Sequence, residues 1–387
     1  MASEQREKER LERKLKKNKK KRIVAWIVIC IVVVALIVMR VAEIDFSSIG
    51  GAASSQSQSS GFPYQLATDS NLYFGSVGND LCVLEDSSYT VLDSSDAEIK
   101  YSFDHGYSNP VVKTAGGYSL LYDQGGISYR LDTNNENVYQ EKTQSQLICA
   151  DVSDSGSVAI ATTSEDALST VTVYNKSLKQ KFTYDVTAGY VTSVAVDSRG
   201  SRVAFAAVSS ENARFKTVVY TINVDDTEPR AQFEYVGSSV FELRFSSTDL
   251  FVVGNDFVSI IDSLKTEKQI YEQGTVGLVS YSFTPDGSLI YAYTAYSGSA
   301  DNNISVVKPS GKVIKVASTD TAVKDVTGSS TRVSILTSES VVTYKISNSK
   351  VLAEFQVDDS YSSIMQISSD VYARHQAVIE LLGGEQE

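Results

Sequence analysis

The sequence predicts an all-β fold, an eight-bladed β-propeller behind a single N-terminal transmembrane helix, and three observations lead there. From residue 62 to 382, short runs rich in Val, Tyr, Ile, Phe and Thr alternate with Gly, Asp, Asn and Ser clusters, with no helical pattern between them. A turn signature recurs as Val152-Ser-Asp-Ser-Gly156-Ser-Val-Ala, Val196-Asp-Ser-Arg-Gly200-Ser-Arg-Val-Ala and Phe283-Thr-Pro-Asp-Gly287-Ser-Leu-Ile. Gly156 and Gly200 stand 44 positions apart and Gly287 a further 87, about two periods, which is the length of a four-stranded blade.

Residues 1–22 form a basic head with eleven Lys/Arg against four Glu. The excess is either a topology signal alone or an attraction to anionic headgroups as well. Residues 23–39 carry no charge and no helix breaker, and continuing to Ala42 gives the roughly 20 residues a bilayer core requires. The positive flank precedes this segment, whereas Glu43 and Asp45 follow it. The head is therefore expected in the cytoplasm and the remainder outside, on an uncleaved signal anchor at the cell membrane. Residues 43–61 end in a Ser/Gly/Gln/Ala tract that reads as a flexible linker.

First strands are expected near Leu72, Pro110, Leu147, Val191, Val240, Val279, Ala322 and Ser362. The last of these units has room for only three strands, and 62–67 supplies a spare strand at the other end. Pairing the two closes a ring of eight and leaves no open edge at the seam, which favours eight blades over the alternative of seven. Residues 383–387 are left as a tail.

The total formal charge is −12 despite the basic head, so the exterior domain is strongly acidic and unsuited to nucleic acid. Of three cysteines, Cys30 falls in the apolar segment, while Cys82 and Cys149 sit inside strand-like runs as expected free thiols. Two histidines, His105 and His375, exclude a His-rich metal site, and each sits where a structural histidine belongs. Gly75-Ser-Val-Gly78 lacks the following helix that a phosphate cradle needs. Paired carboxylates for glycoside chemistry stay open, although Asp154, Asp197, Asp262 and Asp286 fall in turns that Asp itself stabilises. No catalytic, metal-binding or cofactor-binding residue is assigned, and no cofactor is expected.

In a four-stranded blade, second–third loops and blade-to-blade links share one face. The longer segments 164–169, 209–216 and 297–303, with the link 105–109, gather there. Their candidate partner-binding residues are His105, Tyr107, Asn109, Glu165, Asp166, Glu211, Asn212, Arg214, Tyr296, Asp301 and Asn302. The expectation is a membrane-tethered, non-enzymatic binding or scaffold module that takes an envelope protein or wall component. The rival is an envelope enzyme, a hydrolase or cofactor-dependent oxidoreductase, with its site in the central channel.

The stretches His105-Gly-Tyr-Ser-Asn109-Pro110-Val-Val-Lys and Leu120-Leu-Tyr122-Asp123-Gln-Gly125-Gly126, with Val171-Thr-Val-Tyr174-Asn-Lys and Tyr190-Val-Thr-Ser-Val-Ala-Val, carry a resemblance. They resemble a family of bacterial membrane-anchored propeller proteins classed only as a domain of unknown function. More loosely, the blades look like quinoprotein (PQQ-like) and WD40-like repeats. The resemblance implies architecture and supplies no catalytic residue. The one tryptophan is Trp26, in the apolar segment, so the blades lack the docking tryptophans of quinoprotein repeats.

Overall fold

The computed structural model describes residues 61–70, 72–211, 213–295 and 301–383. The basic head 1–22, the apolar segment 23–42, the linker 43–61 except Gly61, and the tail beyond Gly383 lie outside the described residues. Among the described residues, no helix is long and apolar enough to cross a membrane.

Every strand belongs to one of eight four-stranded antiparallel sheets. Blades 1 to 7 take residues 73–104, 110–142, 147–186, 190–236, 240–271, 277–319 and 323–356, each in simple strand order from the centre outward. The eight first strands begin at Tyr73, Pro110, Leu147, Tyr190, Val240, Gly277, Val323 and Tyr361, each within two residues of expectation. Blade 8 holds three strands from 361–383, and its fourth is Tyr64–Gln65 from the start of the domain.

That fourth strand joins the two ends of the domain. Tyr64 pairs with Ile379 and Gln65 with Val378. The Leu66 N–H donates to the Ala377 carbonyl at 2.8 Å, and the Phe62 ring packs on Tyr372 at 5.2 Å. Leu66 is buried among Leu81, Val83 and Leu92 of blade 1 and Tyr372 and Ile379 of blade 8. The seam therefore has the same construction as an ordinary blade boundary.

Eight hydrophobic clusters correspond one to one with the eight boundaries between neighbouring blades. The period-two geometry of a strand explains this. In the second strand of blade 4, Val203, Phe205 and Ala207 face blade 3, while Ala204 and Ala206 face blade 5. Both faces are buried, so these strands read as continuous apolar runs rather than alternating ones. Tyrosine and phenylalanine fill the place of docking tryptophans. Tyr235 of blade 4 stacks on Phe257 of blade 5 at 4.3 Å, and Tyr271 of blade 5 on Tyr291 of blade 6 at 5.6 Å.

The recurrent turn glycines serve the same boundaries. Gly200 has φ +64°, and a Cβ there would lie 2.3 Å from Ser157 Oγ in the hairpin of the preceding blade. Gly287 repeats the arrangement, with φ +77° and Ser246 Oγ at 2.1 Å. Asp197 braces the Gly200 turn by accepting the Ser201 and Arg202 N–H groups at 2.6 and 2.9 Å. Gly200→Ala is expected to lower stability by about 1–2 kcal/mol through left-handed strain plus this clash. The urea midpoint reads it, and Ser157→Gly in the same chain, which removes both the Oγ and the Cβ that crowd the new methyl, recovers only the clash. An unchanged midpoint would refute the close approach.

Candidate functional site

The functional geometry begins with an irregularity repeated on the channel-side strands. In blades 3 to 8 the first strand carries a β-bulge near its start, so Ile148, Thr192, Phe241, Val279, Lys324 and Ser362 stand as extra residues. A bulge leaves its residue outside the ladder and re-aims the side chain. These strands start at the blade-to-blade links, so the bulges encircle the channel mouth on the long-loop face.

That face is unevenly apolar. Tyr190 is 62% exposed at the start of blade 4, and the bulged Phe241 and Val279 of blades 5 and 6 are 53% and 37% exposed. Val236, at the end of the outer strand of blade 4, is 52% exposed and pairs with Lys216, next to the 43% exposed Phe215. Blade 4 stands out again in its second and third strands, Arg202–Glu211 and Arg214–Asn223, ten residues each where those of other blades have five or six. Segment 209–216, expected as a loop, is a continuation of this hairpin with Ser209 opposite Lys216 and Glu211 opposite Arg214. Lys216 ties this extension by ion pairs to Glu211 and Glu234 at 2.7 and 3.3 Å.

The expected site residues share this face but are spread around the ring. Glu165 and Asp166 are exposed on the second–third loop of blade 3, and Glu211 and Arg214 are exposed on the blade 4 hairpin. Asp301 is exposed beside blade 6, whereas Asn302 is buried, with its amide donating to the Thr321 carbonyl at 3.2 Å. Asn212 and Tyr296 lie outside the described residues. Link 105–109 is internally bonded. His105 Nδ1 accepts the Tyr107 N–H at 3.1 Å and Asp123 accepts the Asn109 N–H at 2.9 Å, while Tyr107 packs against the boundary of blades 1 and 2. His375 stacks on Tyr361 at 4.7 Å.

The channel itself is charged, which sequence reasoning missed. Lys113 of blade 2 reaches Glu242 of blade 5 at 2.8 Å, and the Tyr281 hydroxyl of blade 6 donates to the same carboxylate at 3.4 Å. Blades 2 and 5 are three apart, so this pair spans the channel rather than a blade boundary. Burial works against the charge on Lys113, yet the Glu242 carboxylate outweighs it and holds the ammonium above its usual range. Asp151 and Asp325 staple neighbouring first strands by accepting the Val196 and Ile364 N–H groups, each at 2.9 Å. Burial pushes both carboxyls up to about 6.

The signal for these groups was present as charges inside otherwise apolar first strands, in Val-Val-Lys113, Phe-Glu242-Leu-Arg244-Phe and Cys-Ala-Asp151-Val. Both thiols of the ring are free, and burial pushes Cys82 and Cys149 up to about 12, so neither is a ready nucleophile. Among the described residues, no group of three His, Cys, Asp or Glu is placed to hold a metal.

On the opposite face a cavity of about 820 Å³ opens among the first–second hairpins, with Tyr73, Arg244, Tyr281, Asp325 and Gln366 in its walls. Neither Lys113 nor Glu242 lines it, although Tyr281 does.

The ring is similar to several solved propellers. The C-terminal WD40 domain of Sif2 is 12% identical with a TM-score of 0.56, over 84% of this chain and 99% of that one. BamB from Moraxella catarrhalis is 11% identical with a TM-score of 0.51, over 83% and 98%. Saccharomyces cerevisiae Sqt1 is 9% identical with a TM-score of 0.56, over 84% and 98%. At such identities the likeness shows the fold alone. No curated protein matches the chain. A family model does, over residues 59–379, and the chain belongs to that family of unknown function (DUF5711).

Proposed function

We propose that the ring is a non-enzymatic binding module, tethered to the cell membrane by residues 23–42 and held on its outer side, whose long-loop face receives a protein of the envelope. The observation that carries this is the run of exposed apolar side chains over blades 4 to 6, namely Tyr190, Phe215, Val236, Phe241 and Val279. Singly exposed apolar residues are ordinary, but a group on adjoining blades at one end of their strands marks an interaction surface. Aromatic side chains in such a surface supply most of the energy of association. Bulges on a closed ring hold Phe241 and Val279 outward, so little ordering is required on binding. The acidic residues Glu165, Asp166, Glu211 and Asp301 are exposed on blades 3, 4 and 6 of the same face and suit a partner with basic groups at its rim.

Capture by photo-cross-linking from detergent-solubilised membranes tests this. Tyr190→Asp with Phe241→Asp is expected to reduce capture of the envelope partner more than tenfold, a loss of about 2–4 kcal/mol, with an unchanged thermal midpoint. Equal capture by the variant would sink the assignment of this face. Protease added to intact cells tests the tether, since it should digest the ring and spare the basic head. A channel-centred envelope enzyme would instead show turnover that is lost on changing channel carboxylates while the face variant stays active.

A further inference from the structure

The cavity opens on the hairpin face, at the opposite end of the channel strands from the long-loop surface. Its charged groups are nearly all engaged. Asp325 accepts the Val326 and Ile364 N–H groups at 2.8 and 2.9 Å, and at the rim Asp286 pairs with Lys308 at 3.1 Å. Asp151, which faces the same stretch of channel, holds the Val196 N–H. Glu242 is occupied by Lys113 and Tyr281.

Arg244 is different. It stands in the wall with its guanidinium 5.7 Å from the Phe283 ring centre; among the described residues no side-chain hydrogen bond or close ion pair holds it, and its charge acts at longer range on the Asp151 carboxyl and the Tyr73 hydroxyl. A guanidinium offers five donors in a planar fork that matches a carboxylate. The rest of the lining offers hydroxyls through Ser76 and Ser282, with the faces of Tyr73 and Tyr281 beside them, while the buried Gln366 amide is held by Ser334 and the Ser368 carbonyl. Aromatic faces with hydroxyl and carboxylate partners suit the apolar and polar sides of a sugar ring. The volume lies in the range of small-molecule sites.

We propose that this cavity is a second binding site, and that it takes a small polyhydroxylated carboxylate, a sugar acid, with its carboxylate on Arg244. The sugar hydroxyls meet Ser76 and Ser282, and Asp325 accepts from one of them through its remaining lone pairs.

Isothermal titration of the full-length protein in detergent with glucuronate, glucose and acetate tests this. Glucuronate is expected to bind, with glucose and acetate each about tenfold or more weaker, since one lacks the carboxylate and the other the hydroxyls. Arg244→Gln should weaken glucuronate about tenfold to a hundredfold at an unchanged thermal midpoint, and Arg244→Lys should fall between the two. No heat from glucuronate, equal binding of acetate and glucuronate, or undiminished binding by the Gln variant would each overturn the proposal. Were the Gln variant to misfold, the comparison of three ligands on the unaltered protein decides alone.

Discussion

Lys113→Met is expected to lower the stability of the ring by about 2–3 kcal/mol, and adding Glu242→Leu to recover most of that loss. The pair at 2.8 Å joins first strands three blades apart, across the one space in the domain that no hydrophobic cluster fills. Removing the ammonium leaves Glu242 with the Tyr281 hydroxyl at 3.4 Å as its remaining partner, inside a channel whose walls are mostly protein. An uncompensated charge of this kind costs about 3–5 kcal/mol when fully buried. Here the side chains are 31% and 13% exposed, so channel water trims the effect. Replacing both groups removes the desolvation along with the attraction. The Tyr281 hydroxyl and the Asp151 carboxylate, which also feels Lys113, keep the recovery incomplete. Urea unfolding of the two single variants, the double variant and the parent forms a closed cycle. A coupling below about 0.5 kcal/mol would mean the pair is a surface contact and braces nothing.

This brace also shows what the sequence could and could not disclose. Blade count, strand starts and the seam were legible because they rest on period and turn chemistry, which local residues dictate. Gly156, Gly200 and Gly287 announce the hairpins, and the short last unit announces its missing strand. The channel was not legible in that way. Lys113 and Glu242 lie 129 positions apart, and only ring closure brings them together. The bulges were hidden for a related reason. Nothing in Val240-Phe-Glu says that Phe241 leaves the ladder, since the extra residue is defined by its partner strand at Val253–Gly254. Connectivity gathers the longer loops on one face, but the candidates came from those loops, and the exposed aromatics Tyr190 and Phe241, at the starts of first strands, were not among them. A strand residue before a bulge and a core residue look alike until the register is known.

Asp325→Asn is expected to stabilise the protein by about 1 kcal/mol at pH 7.5, and the gain should vanish as the pH falls towards 4. The Asp325 carboxyl titrates near 6 in the folded ring, because burial raises it more than the Ile364 and Val326 N–H groups and the Ser280 hydroxyl lower it. Its value in the unfolded chain is the ordinary one near 4. The folded state therefore binds this proton more tightly, and the ionised group is a penalty on folding. That penalty is fully present above pH 6, shrinks as the pH drops through 6, and is gone below 4. A shift of about two units corresponds to about 3 kcal/mol, and the water of the cavity that Asp325 lines reduces it.

Asparagine carries no charge and its one carbonyl oxygen can keep the Ile364 N–H, but its amide nitrogen then replaces the oxygen that accepts the Val326 N–H, which offsets part of the gain. Asp325→Ala separates the two effects. It deletes the acceptor as well, leaves the Ile364 N–H unpaired, and should be less stable than the Asn variant by about 1–2 kcal/mol at every pH. The equivalent change at Asp151 should gain less, because Arg244 and Lys113 favour its charge and would lose that attraction. Thermal midpoints of the parent and the Asn variant, measured at intervals from pH 4 to 8, give the difference curve directly. A difference that stays flat, or grows towards acid, would show that Asp325 is ionised without strain and that the channel is wetter than its walls imply.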